Sequence, residues 1–522
     1  MDYLAALIPL VPLLVALLIG VNFLISQNID RRYENIMSVM VRIAIISACL
    51  LAIALMVSDF LGNNSGSFNV GQWLGSELLN IEMRFVTSGY SVIVAALFSV
   101  ILVIIIQFST YYLHREKGFI RYLFIFSLFS TGMMLISLSG NAVITFIGWE
   151  IAGLCSYLLI SYAYDRPIAT INATRVFVTN RVGDACFIFG IALAFHYAGT
   201  TNWADLNSKA ELVMPTSHAT VIALCFAIAA FTKSAQLPFS PWLARAMEGP
   251  TPSSAVFYGS VMIHSGVFLI ILLQPLFERA PFAMILCVIV GLLTAIYSFI
   301  VGLTQTDVKS SICFAITGQI GLMFIECGLG FWELASWHMC AHVIMRGYQV
   351  LTSPSLVLHA NGNPMRPVSR DLAHLRWLYN SSLQRFWLDP IIDRALVRPT
   401  YGLGRDLDYF DNYFIDRAVG SPTSRDAIST LAQLEQKIKI ARSGYDATEF
   451  GRGKGIAGKI FEWVASAMSW FEERLVLRGV GIEMVDIGKQ LGHLANSFEK
   501  LILKPRYLVV FVLVVLLSAS SI

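Results

Sequence analysis

Charge is what this sequence has least of. Only 14% of its 522 residues are Asp, Glu, Lys or Arg, against 56% hydrophobic, and the mean hydropathy is positive. That balance excludes an ordinary soluble domain and leaves an integral membrane protein. A net charge of +3 supplies no field that would gather nucleic acid. Cys-x-x-Cys pairs are missing too. The eight cysteines lie singly in apolar runs, as small buried hydrophobes, with no metal or redox role expected in this chain. No basic stretch precedes the first apolar run: Asp2 stands there, and no small-residue cleavage site follows before Ile25. This end reads as a retained first span, not a signal peptide. The segment Gly453 to Ile460 nearly matches a phosphate-binding loop but puts Ile460 where the Mg-ligating hydroxyl belongs, with no strand before it. It reads as a glycine-rich linker, and ATP hydrolysis is excluded.

What is present is a series of about twelve apolar runs, each long enough to cross a bilayer. The expected fold is therefore an all-α polytopic membrane bundle over residues 1–359, with a last span at 506–522. Basic residues fall on alternate loops, as Arg31 and Arg32, then Arg115, Lys117 and Arg121, then Arg166 and Arg175, then Arg245 and Lys309. By the positive-inside rule both termini lie outside and residues 360–505 form a cytoplasmic region. Within that region Phe461, Val464, Met468, Phe471 and Leu475 recur at three- and four-residue spacing, an amphipathic helix fit to dock a partner or lie on the membrane.

Ionisable residues inside the apolar runs are costly, by about 3 kcal/mol each on insertion scales, and so point to function. Glu150, Asp184, Lys233, His264, His338, His342 and Arg346 are of this kind, with Asp307 and Lys309 near a span end and Tyr258 in span eight. Pro238 and Pro241 break the run just after Lys233, freeing backbone groups that only a cavity or neighbouring helices can satisfy. His338, His342 and Arg346 are spaced i, i+4, i+8 and share one helix face. Desolvation loosens a lysine's hold on its proton and an approaching carboxylate tightens it, so a Glu150–Lys233 pair of variable spacing can take up and release protons. Histidines suit relay between such points. Arg346 stays protonated and acts as a fixed charge. Plainer readings exist: Glu150 and Lys233 as a static ion pair, Asp184 paired with Arg181, and Lys309 as a snorkelling anchor.

FIGWEIAGLCSYLLI, RVGD, KSAQLPFSPWLARAMEGPTPSSA, QTDVKSS with GQIGLMF, and WHMCAHVIMRG together resemble the antiporter-like, proton-conducting membrane subunits. These include subunit 5 of the proton-pumping NADH:quinone oxidoreductase and the large subunit of multisubunit cation/proton antiporters. The resemblance covers roughly residues 85–350. It implies an inverted-repeat bundle with a buried Glu150–Lys233 pair, a helix broken at Pro238, and a polar axis continuing to His338, His342 and Arg346. The chain departs from the pattern in three places. Tyr258 stands where a histidine is usual, with His264 nearly two turns later. Arg346 replaces the lysine of span eleven, and a second broken helix with its own buried lysine is missing. Such a truncated second repeat with a cytoplasmic C-terminal region is similar to the DabB-type membrane subunits of bacterial inorganic-carbon accumulating complexes. That resemblance implies a location in the bacterial inner membrane and a large cytoplasmic zinc-binding partner of DabA type, related to β-carbonic anhydrases. A cation flow, with protons the expected ion, would energise one-way hydration of CO2 to bicarbonate. A respiratory or hydrogenase pump subunit and a cation/proton antiporter are the alternatives.

Overall fold

The computed structural model describes residues 1–25, 32–75, 80–305, 307–353, 374–410 and 463. The chain divides into two compact units, 1–397 and 398–522. The first is a helical bundle. Its long helices are α1 (Leu4–Ile25), α2 (Arg32–Phe60), α3 (Tyr90–Tyr112), α4 (Phe119–Leu138), α5 (Ala142–Ile160) and α6 (Pro167–Ala198). After a short α7 (Trp203–Leu212) come α8 (Thr216–Lys233) and the five-residue α9 (Pro241–Arg245). The next span is segmented, with α10 (Thr251–Ser254), a π turn, a 3-10 turn and α11 (Ser265–Leu272). It is followed by α12 (Gln274–Glu278), α13 (Pro281–Gly302), α14 (Val308–Gly328) and α15 (Trp332–Thr352). Among the described residues ten helical segments are long and apolar enough to cross a membrane. With its histidines, Glu333 and Arg346, α15 has the length but is not one of them.

The skin of the bundle is apolar where a soluble protein would be polar. Leu14 and Leu18 on α1, Ile43 and Leu50 on α2, and Ile285, Leu292 and Phe299 on α13 are exposed, while Lys233, His264, Gln236 and Asp184 are buried. That inversion suits a hydrocarbon surround. The segmented span 251–272 is almost wholly enclosed by its neighbours, so it is the axis on which the bundle is built. Helix backbones approach closely where side chains vanish. A Cβ on Gly148 of α5 would lie 2.6 Å from the Gly132 carbonyl oxygen of α4. That contact seats α5, the carrier of Glu150, directly on α4.

Two features depart from the sequence expectation. A two-stranded antiparallel hairpin, β1 (Ser67–Gly75) and β2 (Asn80–Val86), sits between α2 and α3. The region expected at 360–505 is also not a single piece. Helices α16 (Arg376–Leu383) and α17 (Leu388–Ile392) belong to the bundle unit, which ends at Val397. Ser382 Oγ donates to the Ile300 carbonyl at 3.0 Å, Phe386 packs on Tyr297, Asp389 pairs with Arg245 at 3.1 Å and Asp393 with Arg175 at 2.7 Å. The link between α16 and α17 places Arg385, Phe386 and Trp387 at φ of 50–55°, a left-handed turn of non-glycine residues that costs about 1–2 kcal/mol each. The packing and ion pairs around the turn offset that cost. In the second unit the described structure is the helix α18 (Arg398–Phe410) and Trp463. The glycine-rich linker at 453–460, the amphipathic helix from Phe461 (Trp463 apart) and the span at 506–522 lie outside the described residues.

Candidate functional site

Lys233 is the last residue of α8 and is fully buried. The helix stops there because Ala235 takes a positive φ of 52° and Pro238, after a cis peptide bond, cannot continue the ladder. The ammonium therefore sits at the negative end of the helix dipole. Its Nζ donates to the Trp149 carbonyl at 3.1 Å and lies 5.0 Å from the centre of the Trp149 ring. Among the described residues only one of its three donors is taken, by the Trp149 carbonyl, so Nζ keeps capacity to exchange a proton.

The expected Glu150–Lys233 ion pair is not formed. Glu150 Oε2 pairs instead with Arg181 Nη1, and Arg181 Nη2 reaches Asp184 Oδ2 at 2.8 Å. Asp184 Oδ1 accepts from Trp149 Nε1 at 2.9 Å, and Glu150 Oε1 is buried with no hydrogen-bond partner. The physical reason is helix register. Glu150 lies one residue beyond Trp149, whose carbonyl and ring take the lysine, and α6 brings the longer arginine to the carboxylate. Two cations and two carboxylates thus form one neutral group on α5, α6 and α8. Gly153 keeps space open within it, since a Cβ there would sit 3.1 Å from Lys233 Nζ and 3.2 Å from Arg181 Nη2. Gly183 does the same for the α6–α8 contact, where a Cβ would fall 2.6 Å from Thr232 Cβ. Gly183→Ala is expected to cost about 1–3 kcal/mol by overpacking, visible as a lower melting temperature of the purified protein in detergent.

The second group lies on α11, α14 and α15. His264 Nε2 and His342 Nδ1 are 2.8 Å apart, and Arg346 Nε donates to His342 Nε2 at 3.2 Å. His338 stands 6.1 Å from His342, ring centre to ring centre. Its Nδ1 meets Glu326 Oε1 at 2.9 Å and its Nε2 meets Gln319 Oε1 at 3.1 Å. His338, His342 and Arg346 thus share a face as expected, and His264 joins them because the π and 3-10 turns before α11 rotate it inward. Ser234 Oγ donates to the Ile263 carbonyl at 2.6 Å, tying the break after Lys233 to the residue beside His264. No direct hydrogen bond joins Lys233 to His264.

The other sequence candidates fall elsewhere. Asp307 caps α14, accepting from the Ser310 amide at 3.0 Å, and Lys309 Nζ donates to Thr251 Oγ1 at 2.7 Å. Tyr258 is buried in the π turn before α11. Pro241 opens α9 at its first turn. Sequence reasoning missed Glu326 and Gln319 as the partners of His338, although Glu326 is a charge inside the apolar run of α14 and Gln319 lies in the GQIG motif. It weighed Arg181 only against Asp184. Among the described residues no group of three His, Cys, Asp or Glu is placed to hold a metal.

An apolar-skinned bundle with buried charges at a broken helix is a polytopic membrane protein of the antiporter-like kind. Residues 139–382 match the family described as NADH:quinone oxidoreductase/Mrp antiporter, transmembrane, and over that span the chain is similar to the antiporter-like membrane domains of this family. It is 29% identical over 358 residues to NAD(P)H-quinone oxidoreductase chain 5 of Picosynechococcus sp., covering 68% of this chain and 54% of the relative. It is 30% identical over 366 residues to the chloroplastic subunit 5 of Piper cenocladum, covering 68% and 48%. The chain thus spans about half the length of the curated relatives it matches. Two solved structures share the fold. The Mrp complex from Dietzia sp. matches with TM-score 0.59 and 18% identity over 98% of this chain and 62% of that one. The archaeal membrane-bound sulfane sulfur reductase matches with TM-score 0.57 and 20% identity over 66% and 70%.

Proposed function

We propose that this chain is a proton-conducting membrane subunit without a catalytic site of its own, whose ion flow drives a cytoplasmic partner. The observation that carries the conduction is the neutral set Glu150, Arg181, Asp184 and Lys233, buried at the end of a broken helix and followed by the row of histidines. Such a group holds charges out of water at no net cost in charge, and it can let one proton go when a member moves. The partner in this reading is a large zinc-binding protein of DabA type, related to β-carbonic anhydrases, which would hydrate CO2 to bicarbonate one way. Support comes from the sequence resemblance. The setting is the bacterial inner membrane, and the zinc belongs to the partner.

A second reading is favoured by the names of the relatives: a proton-translocating subunit of a quinone-reducing complex. Affinity purification of the tagged chain from its native membrane separates the two. A large zinc-containing protein in stoichiometric amount, with growth rescue of a carbonic-anhydrase-deficient host only when both genes are present, is the expected result. Recovery of quinone-reductase or hydrogenase proteins instead overturns the carbon reading.

A further inference from the structure

The guanidinium group offers only N–H donors and stays protonated. Arg346 Nε lies 3.2 Å from His342 Nε2, so that ring nitrogen must present its lone pair. An imidazolium at His342 would set a second N–H and a second positive charge against the arginine. His342 therefore carries its proton on Nδ1, and Nδ1–H donates across 2.8 Å to His264 Nε2. That nitrogen is now the acceptor, so His264 holds its own proton on Nδ1. Arg346 is held in this role by a 2.7 Å hydrogen bond from Nη1 to Gln349 Oε1. Glu326 and His338 are the other titratable groups beside the pair, and both nitrogens of His338 face carbonyl-type oxygens.

We propose that Arg346 is a positioning residue that sets the tautomers of His342 and His264 and so gates proton transfer through this pair of rings. While Arg346 is seated, His342 Nε2 is blocked. When it withdraws, His342 Nε2 accepts a proton from the Glu326–His338 side. His342 Nδ1–H then passes to His264 Nε2, and His264 Nδ1 releases its own proton. One proton has entered and one has left, and both rings now carry Nε2–H. The returning guanidinium cannot face that N–H, so it reseats only when a proton leaves His342 Nε2 and another enters at His264 Nδ1, the reverse of the first transfer. The gating of transfer rests on the proton-path reading above, whereas the tautomer order does not.

The test is solid-state nitrogen-15 NMR of the full chain in liposomes with labelled histidine, assigning signals by their loss in His264→Gln and His342→Gln. Wild-type protein should show Nδ1–H at both rings. Arg346→Met should bring in an Nε2–H population, and Arg346→Lys, which restores a donor, should return the signals to Nδ1–H. Dye-loaded liposomes should show proton flux rising in Arg346→Met and returning toward the wild-type level in Arg346→Lys. Nε2–H in the wild type, or unchanged tautomers in Arg346→Met, overturns the proposal. Shifted tautomers with an unchanged proton flux overturn its gating part. Expected tautomers with no proton flux at all would instead defeat the proton-path reading and leave the tautomer order standing.

Discussion

Lys233→Ala is expected to lower proton flux in reconstituted liposomes by a factor of about 100 or more, the scale of losing a positioned proton-transfer group. The side chain is fully buried at the end of α8, and alanine leaves nothing at that break that can hold and release a proton. Lys233→Arg is the sharper variant. It keeps the positive charge but stays protonated, so a titrating role predicts that it fails as alanine does. Full flux in Lys233→Arg would make Lys233 a static charge and return the cluster to a packing role. Glu150→Gln is expected to lose less, because Arg181 retains Asp184 as a partner at 2.8 Å.

Removal of Arg181 should have the largest effect on folding. It bridges Glu150 and Asp184, and without it two carboxylates share Lys233 alone. Breaking a buried pair costs about 3–5 kcal/mol. The lower end is expected here, since roughly a third of the Arg181 and Glu150 side chains remains exposed in the isolated chain. Arg181→Met should therefore reduce the yield of monodisperse protein and its melting temperature in detergent. The double variant Arg181→Met with Glu150→Gln should recover part of that loss, because it also removes the stranded charge. A melting temperature equal to wild type in the single variant would show that the bridge contributes nothing.

The class of this protein could be read from its sequence, because hydropathy acts over one helix length and needs no knowledge of neighbours. The break after Lys233 was legible for the same reason: prolines forbid the ladder locally. So was the common face of His338, His342 and Arg346, which follows from a spacing of four. The pairing of β1 with β2 was not, since β1 is mostly solvent-facing and sits among polar turn residues. Nor was the attachment of α16 and α17 to the bundle, which depends on Arg175 and Arg245 meeting Asp393 and Asp389 from more than a hundred residues away.

By itself, then, the sequence determined the membrane class, the broken helix and the set of buried groups from which a proton path can be drawn. Only the tertiary structure decided how those groups pair. Lys233 lies against Trp149, Glu150 against Arg181, His338 against Glu326, and His264 against His342. The reason is physical. A buried charge must find some partner, but which one it reaches is settled by the rotation and approach of helices. The small residues Gly148, Gly153 and Gly183 set that approach, and a one-residue shift of register exchanges one partner for another.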